Sequence, residues 1–148
     1  MITLSDNTAT NILIDILGIG FISDFIKRKG YENTRFERKM FDDEGRKAGL
    51  DNYTTARDAW ISLDNLCKND TALSILKAQL CNSKIPLYFF RKAEVAHKTG
   101  DMVEIEHDVA RIFAGGMRVD LAVLANGNNK DAVLLNNRLG ECVYNYFA

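Results

Sequence analysis

The sequence predicts an α+β fold, in which a run of helices is followed by a small antiparallel sheet and a closing helix. Apolar residues recur at helical spacing up to about residue 80, and they alternate with polar residues between Ala93 and Ala125. Helical spacing returns after Gly127. The connections within the alternating part are short, which favours antiparallel neighbours with a helix packed on one face.

Two short helices are predicted near the start. Ser5 or Asp6 suits an N-cap, and apolar residues follow at helical spacing until Gly18. A second helix is expected over about residues 21 to 29, with Gly30 as its C-cap. The side chains expected to face the core are Ala9, Ile12, Leu13, Ile16 and Leu17 in the first helix and Phe21, Ile22, Phe25 and Ile26 in the second.

Residues 31 to 53 show no sustained period and predict a long ordered loop, a feature that in compact domains is usually functional or disordered. Two further helices are predicted after it, capped by Thr54 or Thr55 and by Asp70 or Thr71. The side chains expected on their buried faces are Ala59, Trp60, Leu63 and Leu66, and then Leu73, Leu76 and Leu80.

Three strands are predicted after Pro86. The first alternates from Ala93 to Gly100, the second spans Ile105 to Phe113, and the third spans Met117 to Ala125 after a Gly115-Gly116 turn. A helix closes the chain, and the residues expected on its inner face are Ala132, Leu135, Leu139, Cys142, Val143 and Tyr146.

Composition excludes several classes of partner. With 148 residues, 47% of them apolar and 26% charged, the chain is expected to form one globular domain. A net charge of -1 and only short basic runs, Lys27-Arg28-Lys29 and Arg91-Lys92, predict no nucleic-acid partner and no membrane partner. No signal peptide precedes Ser5, so the sequence as written predicts a cytoplasmic product, with export of an intact parent left open.

The cysteines and histidines predict neither a disulfide framework nor a metal site. Cys67, Cys81 and Cys142 are odd in number and lack C-x-x-C spacing, so we expect free thiols, with Cys67 and Cys142 buried on apolar helix faces. His97 and His107 lack a third ligand at suitable spacing, which favours packing roles. No metal and no cofactor is therefore expected.

Two triplets mark the start of the first helix and the end of the first strand. These are Ser5-Asp6-Asn7 and Lys98-Thr99-Gly100, which in penicillin-recognising serine enzymes accompany a third element, Ser-x-x-Lys. Other matches stand in the same order along the chain. With these landmarks the chain resembles the class A β-lactamase family and its relatives, from the Ser-Asp-Asn helix to the C-terminus. The matched segments are Met1 to Asn11, Arg35-Phe36-Glu37-Arg38, Tyr53-Thr54-Thr55-Ala56, His97 to Gly100 and His107-Asp108-Val109.

The resemblance implies an incomplete β-lactamase/transpeptidase-like fold in one domain over residues 1–148. Its parts would be helices, an omega-type loop, a three-stranded antiparallel sheet and a C-terminal helix. The family's first helix, first two strands and Ser-x-x-Lys segment would lie upstream of Ser5. The implied function is that of a β-lactamase-like serine hydrolase that is not competent alone. The alternatives are a non-catalytic remnant and a penicillin-binding or peptidase-like module.

The expected partners follow from the same resemblance. One is a β-lactam or peptidoglycan-like small molecule, and another is an N-terminal complementing segment. With only three of the family's five strands, the strand from Met117 to Ala125 would become an apolar edge. Self-association through that edge is therefore also expected.

The resemblance also implies roles for individual residues. Ser5 and Lys98 would meet across the cleft, where the hydroxyl relays a proton to the leaving nitrogen and the ammonium attracts an anionic substrate. Read without the family, Ser5 is a helix cap and Asn7 a first-turn residue, and these readings stay open. The substrate-binding residues that it implies are Asn7, Thr99, Gly100 and Asp101, the last through its backbone N–H as half of an oxyanion hole.

Within the omega-type loop one position departs from the family pattern. Met40 stands where members usually carry the glutamate that activates the deacylating water, and a methionine cannot act as a base. The nearby carboxylates of Asp42, Asp43 and Glu44 either replace it or are solvated loop charges.

Two further expectations concern charge. Arg38 is expected to anchor the loop through Asp51, a pairing that family members use. Glu106 stands where many members place an arginine that holds the substrate carboxylate, so a repulsive charge is expected there.

Overall fold

A computed structural model describes residues 1–89 and 92–147, so Arg91 of the second basic run lies outside the described residues. The helices are α1 (Asn7–Leu17), α2 (Ile19–Arg28), α3 (Asp43–Lys47), α4 (Ala56–Leu66), α5 (Asp70–Lys77) and α6 (Asn129–Phe147). A 3₁₀ helix, η1 (Ile85–Phe89), precedes strands β1 (Glu94–Met102), β2 (Ile105–Ala114) and β3 (Met117–Asn126). This order confirms the predicted α+β fold.

The three strands form an antiparallel sheet in the order β1-β2-β3. Gly100 lies opposite His107 in the first pair, and Ala114 lies opposite Met117 in the second. Gly115 and Gly116, with φ of 57° and 74°, form the two-residue turn that positive φ values permit. Within the described residues β3 pairs only with β2, so it is an edge strand as expected.

Both faces of the sheet are covered. Against η1 and α6 lies a cluster whose side chains are almost fully enclosed, including Ile85, Phe89 and Ile112. Against α4 and α5 lies a second cluster, built on Leu63, Leu76, Ala96 and Val109. Leu63 and Leu76 are therefore buried as predicted, but the expected burial of Trp60, Leu66 and Leu80 is wrong, since these are 43%, 42% and 65% exposed.

The inner face of α6 agrees with the prediction only in part. Leu135 and Tyr146 are 46% and 80% exposed, and the Cys142 thiol is also exposed. Ala132 is buried as predicted, and Leu139 and Val143 pack half-buried against the cluster beside η1. The other buried residues of α6 are Asn136, Asn137 and Gly140.

Hydrogen bonding and close packing explain this choice of face. Asn137 Nδ2 donates to the carbonyl oxygens of Ser83 and Lys84 at 2.7 and 3.0 Å. A side-chain carbon at Gly140 would lie 3.1 Å from the carbonyl carbon of Ile85, so only glycine lets α6 approach η1 this closely. Both buried asparagines donate from Nδ2 to backbone carbonyls, while Asn136 Oδ1 has no partner among the described residues.

The first two helices form as predicted but do not bury the predicted side chains. Asp6 is the N-cap of α1 and accepts from Ala9 N at 2.9 Å. Only Ile14 of α1 is buried, and α2 buries none of its residues. Ile16 and Phe21 are 73% and 53% exposed. The amphipathic period is correct, but no described element covers the apolar side.

The cysteines are free, as expected. No single described helix is long and apolar enough to cross a membrane. The pair α1 and α2 passes the same test only jointly and bends by 85° between its members.

Candidate functional site

The two predicted proton-transfer residues lie in contact. Lys98 Nζ donates a hydrogen bond to Ser5 Oγ across 93 positions of sequence, and it also donates to Thr99 O at 2.5 Å. The spacing in the sequence gives no hint of this contact, which the folding of the helices onto β1 brings about.

The segment that carries Ser5 is fixed by backbone hydrogen bonds. Leu80 N donates to Thr3 O at 3.1 Å, and Gln79 Nε2 donates to Ile2 O at 2.8 Å. Ser5 itself has φ of 51°, a left-handed conformation that costs most residues roughly 1–2 kcal/mol. The residues after α5 thus hold the N-terminal segment beside β1, with the Ser5 hydroxyl next to the Lys98 ammonium.

The environment changes the acidity of Lys98. Burial lowers the pKa of its ammonium below the ordinary lysine value, and the nearby Asp101 and Asp108 carboxylates oppose the shift only in part. A lowered pKa makes the ammonium a stronger acid than an exposed lysine. Lys98 can therefore return a proton to the Ser5 hydroxyl more readily.

Four of the predicted site residues are consecutive on β1, and they fall on two sides of the strand. Lys98 and Gly100 share one side of the strand because side chains alternate, and Thr99 and Asp101 share the other. Among residues 1–89 and 92–147, a side-chain carbon at Gly100 would contact only His107 Cβ, at 3.8 Å, so these residues leave that surface open.

Thr99 and Asp101 differ in exposure. The Thr99 hydroxyl is buried and has no hydrogen-bond partner among the described residues, whereas Asp101 is exposed and lies 3.8 Å from Lys84 Nζ. Asn7, the fourth predicted binding residue, is half-buried at the first position of α1, two residues from Ser5.

Glu106 is not an uncompensated charge, and the expectation that it repels a substrate carboxylate stays a prediction. Its carboxylate pairs with Lys84 Nζ at 2.7 Å and accepts from Asn129 Nδ2 at 2.8 Å. Although burial acts to raise it, these two hydrogen bonds hold the pKa of Glu106 below its usual value. The Lys84 cation thus neutralises the position where repulsion was expected.

Lys84 is a residue that the sequence reasoning missed. Its side chain is only 6% exposed, and Nζ donates to Gly100 O at 3.2 Å and to His107 O at 3.1 Å. Asp101 and Glu106 lie directly opposite each other in the β1–β2 register. Such a pair of like charges requires a cation nearby, and the register, not the local sequence around Lys84, is the signal that could have indicated it.

The histidines take packing roles. His97 is fully buried and its Nδ1 lies 3.0 Å from Asp108 Oδ1. Asp108 Oδ2 accepts from Ile85 N at 3.1 Å, and His107 Nδ1 accepts from Ala125 N at 3.1 Å. Within residues 1–89 and 92–147, no cluster of His, Cys, Asp and Glu is arranged to hold a metal ion.

Asn11 of α1 fixes the omega-type loop at Met40. Asn11 Nδ2 donates to Met40 O at 3.0 Å, and Met40 N donates to Asn11 Oδ1 at 2.9 Å. At the base of the loop, Arg38 pairs with Asp51 at 2.7 Å, as expected. The position of Met40 therefore depends on its backbone and not on its side chain.

The acidic residues after Met40 lie at the N-terminal end of α3. Asp42 caps α3 by accepting from Gly45 N at 2.8 Å, and the exposed Glu44 pairs with Lys47 at 2.7 Å. Asp43 lies in the first turn of α3. This arrangement is that of a capped, solvated helix end.

One Ser-x-x-Lys spacing does occur in the chain, at Ser74 and Lys77 of α5. Lys77 Nζ pairs with Glu94 at 2.7 Å and lies 4.7 Å from the centre of the Phe113 ring. The two residues make no hydrogen bond with Ser5 or Lys98. This lysine is engaged elsewhere, so the motif match does not supply the third element of the site.

Comparison with known proteins identifies the family and the fold of the chain. The family model described as the beta-lactamase enzyme family matches residues 1–147. No curated protein matches the chain. Among solved structures, PBP-A is 26% identical with a TM-score of 0.82, and the match covers 99% of this chain and 58% of PBP-A.

Two further solved structures are similar in fold. A beta-lactamase from Sphaerobacter thermophilus is 24% identical with a TM-score of 0.83, over 96% of this chain and 58% of that one. A class A beta-lactamase representative from Bacteroides cellulosilyticus is 18% identical with a TM-score of 0.76, over 95% and 58%. The chain thus spans less than two thirds of the length of these relatives. Since the family model covers almost every residue, the chain belongs to the beta-lactamase enzyme family.

Proposed function

We propose that the chain forms the proton-relay part of a β-lactamase-like serine hydrolase, which opens a β-lactam ring through an acyl-enzyme. The observation that carries the proposal is the contact between Lys98 Nζ and Ser5 Oγ. The nucleophilic serine comes from a Ser-x-x-Lys segment that these 148 residues do not provide at the site. The chain alone is therefore inactive.

In the proposed reaction, the oxygen of the nucleophilic serine bonds to the β-lactam carbonyl carbon and the ring C–N bond breaks. The leaving nitrogen needs a proton, which Ser5 Oγ donates while it takes one from the Lys98 ammonium. The proton that the nucleophilic serine loses returns the Lys98 amine to its ammonium form, so the charge balances. The lowered pKa of Lys98 supports this role, since it favours the donation.

A second candidate function is a penicillin-binding or peptidase-like module with a long-lived acyl-enzyme. The observation that favours it is Met40, whose backbone Asn11 holds at the glutamate position implied by the family resemblance. A thioether is only a weak acceptor and cannot deprotonate water. The structure of a PBP-A mutant, which is 26% identical to this chain, has been solved as an acyl-enzyme complex with penicillin G.

The test combines this chain with the part of PBP-A that the match does not cover, where the family resemblance implies the Ser-x-x-Lys element. A chromogenic cephalosporin reports hydrolysis, and a fluorescent penicillin followed by intact mass reports acylation. We expect neither signal from the chain alone and an acyl label on the segment in the mixture. Ser5→Ala and Lys98→Met should each slow acylation by roughly 10²-fold or more.

The control is Ser74→Ala, which removes an exposed serine and the misplaced motif and should leave acylation unchanged. Met40→Glu should shorten the lifetime of the label, which would separate the hydrolase from the long-lived module. Turnover by the chain alone, or a label on Ser74, would contradict the proposal. If no label forms in a complex that does assemble, the non-catalytic remnant is the correct description.

A further inference from the structure

A cavity of about 490 Å³ lies where the end of α5, η1 and the start of β1 meet. Among the described residues β1 pairs only with β2, so the cavity lies at an edge of the sheet. Its volume falls within the range of roughly 300–1,000 Å³ that is typical of sites for small ligands. We call it the edge cavity.

One wall of the edge cavity is apolar. Phe89 of this wall is 1% exposed and belongs to the enclosed cluster against η1 and α6. Ala93 and Val95 also line the cavity and pack half-buried against the same cluster. The apolar part of a ligand would therefore leave water against a wall that is already packed.

Two charged side chains among the described residues line the cavity, Lys77 and Glu94. Lys77 Nζ donates to Glu94 at 2.7 Å and lies 4.7 Å from the centre of the Phe113 ring. An ammonium carries three N–H donors, and Glu94 accepts one of them. The aromatic ring thus holds a cation that has donors left for a ligand.

The exposure of the two side chains decides which charge a ligand would carry. The side chain of Lys77 is 29% exposed and that of Glu94 is 69% exposed. Water screens the charge of Glu94 more strongly, so an anion gains more at Lys77 than a cation gains at Glu94. An exposed ion pair also contributes little to stability, so Glu94 can turn into the solvent when an anion takes its place.

We propose that the edge cavity binds a small organic carboxylate, with its head group at Lys77 and its apolar body along Phe89 and Val95. Gln79 also lines the cavity, and its Nε2 donates to Ile2 O at 2.8 Å. A ligand in the cavity therefore lies against the residue that holds the Ser5 segment. Binding there does not require the nucleophilic serine, so the 148-residue chain is sufficient to measure it.

The experiment titrates the ¹⁵N-labelled chain with hexanoate, hexanamide and hexylamine, which share one apolar body and differ in the charge of the head group. We expect hexanoate to bind at least tenfold more tightly than the other two. The NMR signals that should shift are the side-chain amide of Gln79 and the backbone amides of Glu94 and Val95. Acetyl-glycyl-glycyl-leucine, titrated in the same way, distinguishes the end of a peptide from a free acid as the source of the carboxylate.

Four variants test the role of the charges. Lys77→Met should weaken hexanoate binding by tenfold or more and leave hexanamide binding unchanged. Glu94→Gln should tighten hexanoate binding severalfold, because it removes the competing carboxylate. The matched controls are Lys47→Met and Glu44→Gln, which make the same charge changes in an ion pair of α3 with the same 2.7 Å separation. Both controls should bind hexanoate as the parent does.

Several results would overturn the proposal. These are a folded parent chain that does not bind hexanoate, hexanamide or hexylamine binding as tightly as hexanoate, signal shifts confined to residues away from the cavity, or equal effects of Lys47→Met and Lys77→Met. Tighter binding of the peptide than of hexanoate, lost in Lys77→Met, would support the site and identify a peptide C-terminus as its occupant.

Discussion

The α6 side of the sheet and the α1–α2 pair use large apolar side chains in different ways. Phe89 and Ile112 on the α6 side are 1% and 0% exposed, whereas Phe21 and Ile16 of the helix pair are 53% and 73% exposed. Both regions carry amphipathic sequence. The difference teaches that a helical period specifies which residues share a side, while burial depends on a partner that the period does not describe.

The largest expected difference between the two regions comes from truncating a phenylalanine in each. Phe89→Ala should lower the free energy of unfolding by about 3–5 kcal/mol, because it leaves a cavity in the enclosed cluster. Phe21→Ala should change it by less than about 1 kcal/mol, since the ring is already half in water. Urea denaturation followed by circular dichroism measures both. Equal losses would show that the comparison is wrong.

A second comparison concerns ion pairs. Arg111, 3% exposed, donates to Asp120 at 2.6 Å and to Asp64 at 2.7 Å. Arg111→Met should cost about 3–5 kcal/mol, because the Asp120 carboxylate, 14% exposed, is left with the hydrogen bond from Trp60 Nε1 and without its cationic partner. Lys39→Met removes an exposed ion pair with Asp15 on α1 and should cost less than about 1 kcal/mol.

Arg111 also makes the stability of the folded protein depend on pH. Its hydrogen bond, followed by that of Lys68, lowers the pKa of Asp64 from 3.8 to about 2. Hydrogen bonding by Arg111 also holds the pKa of Asp120 below its usual range. The unfolded chain therefore takes up these protons first as the pH falls. The stabilisation that these two ionised carboxylates contribute should be complete above pH 3.8 and should decline as the pH falls toward 2.

In Arg111→Met this decline should be shallower. Thermal unfolding at a series of pH values measures the slope, with Lys39→Met as the control that keeps the parent slope. An unchanged slope in Arg111→Met would refute the assignment of the pH dependence to this cluster.

The smallest expected effects come from adding one carbon at a glycine in each region. Gly140→Ala should destabilise the protein by about 1–3 kcal/mol, because the new carbon meets the Ile85 backbone. Gly20→Ala, where no described atom outside its own stretch of helix lies within 4 Å of the new carbon, should stabilise α2 by roughly 0.5–1 kcal/mol. Opposite shifts in melting temperature confirm the comparison, and shifts of the same sign contradict it.

The sequence was sufficient for the strands and for the N-caps of α1 and α4. The three strands appear within one or two residues of their predicted ends, because alternation and glycine turns are local signals. Asp6 and Thr55 cap their helices as expected. The cap of α5 is Asn69 in place of Asp70 or Thr71, a shift of the size that helix ends commonly show.

The predictions that failed depended on non-local contacts. Asn136 and Asn137 were not among the residues expected on the inner face of α6, yet their amides bind the carbonyl of Glu106 in β2 and that of Lys84, just before η1. Lys84 was missed because its partners meet only through the strand register. At the candidate site, the contact between Ser5 and Lys98 was anticipated from the family motifs, and periodicity alone would not have indicated it.

The amides along α6 have a mechanical consequence. Asn129 donates to Met102 O at 2.8 Å, Asn136 to Glu106 O at 3.3 Å, and Asn137 to Ser83 O at 2.7 Å. If α6 contacted the sheet only through apolar side chains, it could shift along its axis by one turn, about 5.4 Å. These directional hydrogen bonds are satisfied at only one position along the axis. The closing helix α6 is therefore held at one axial position on the sheet, and we expect it to detach from the sheet as a single unit.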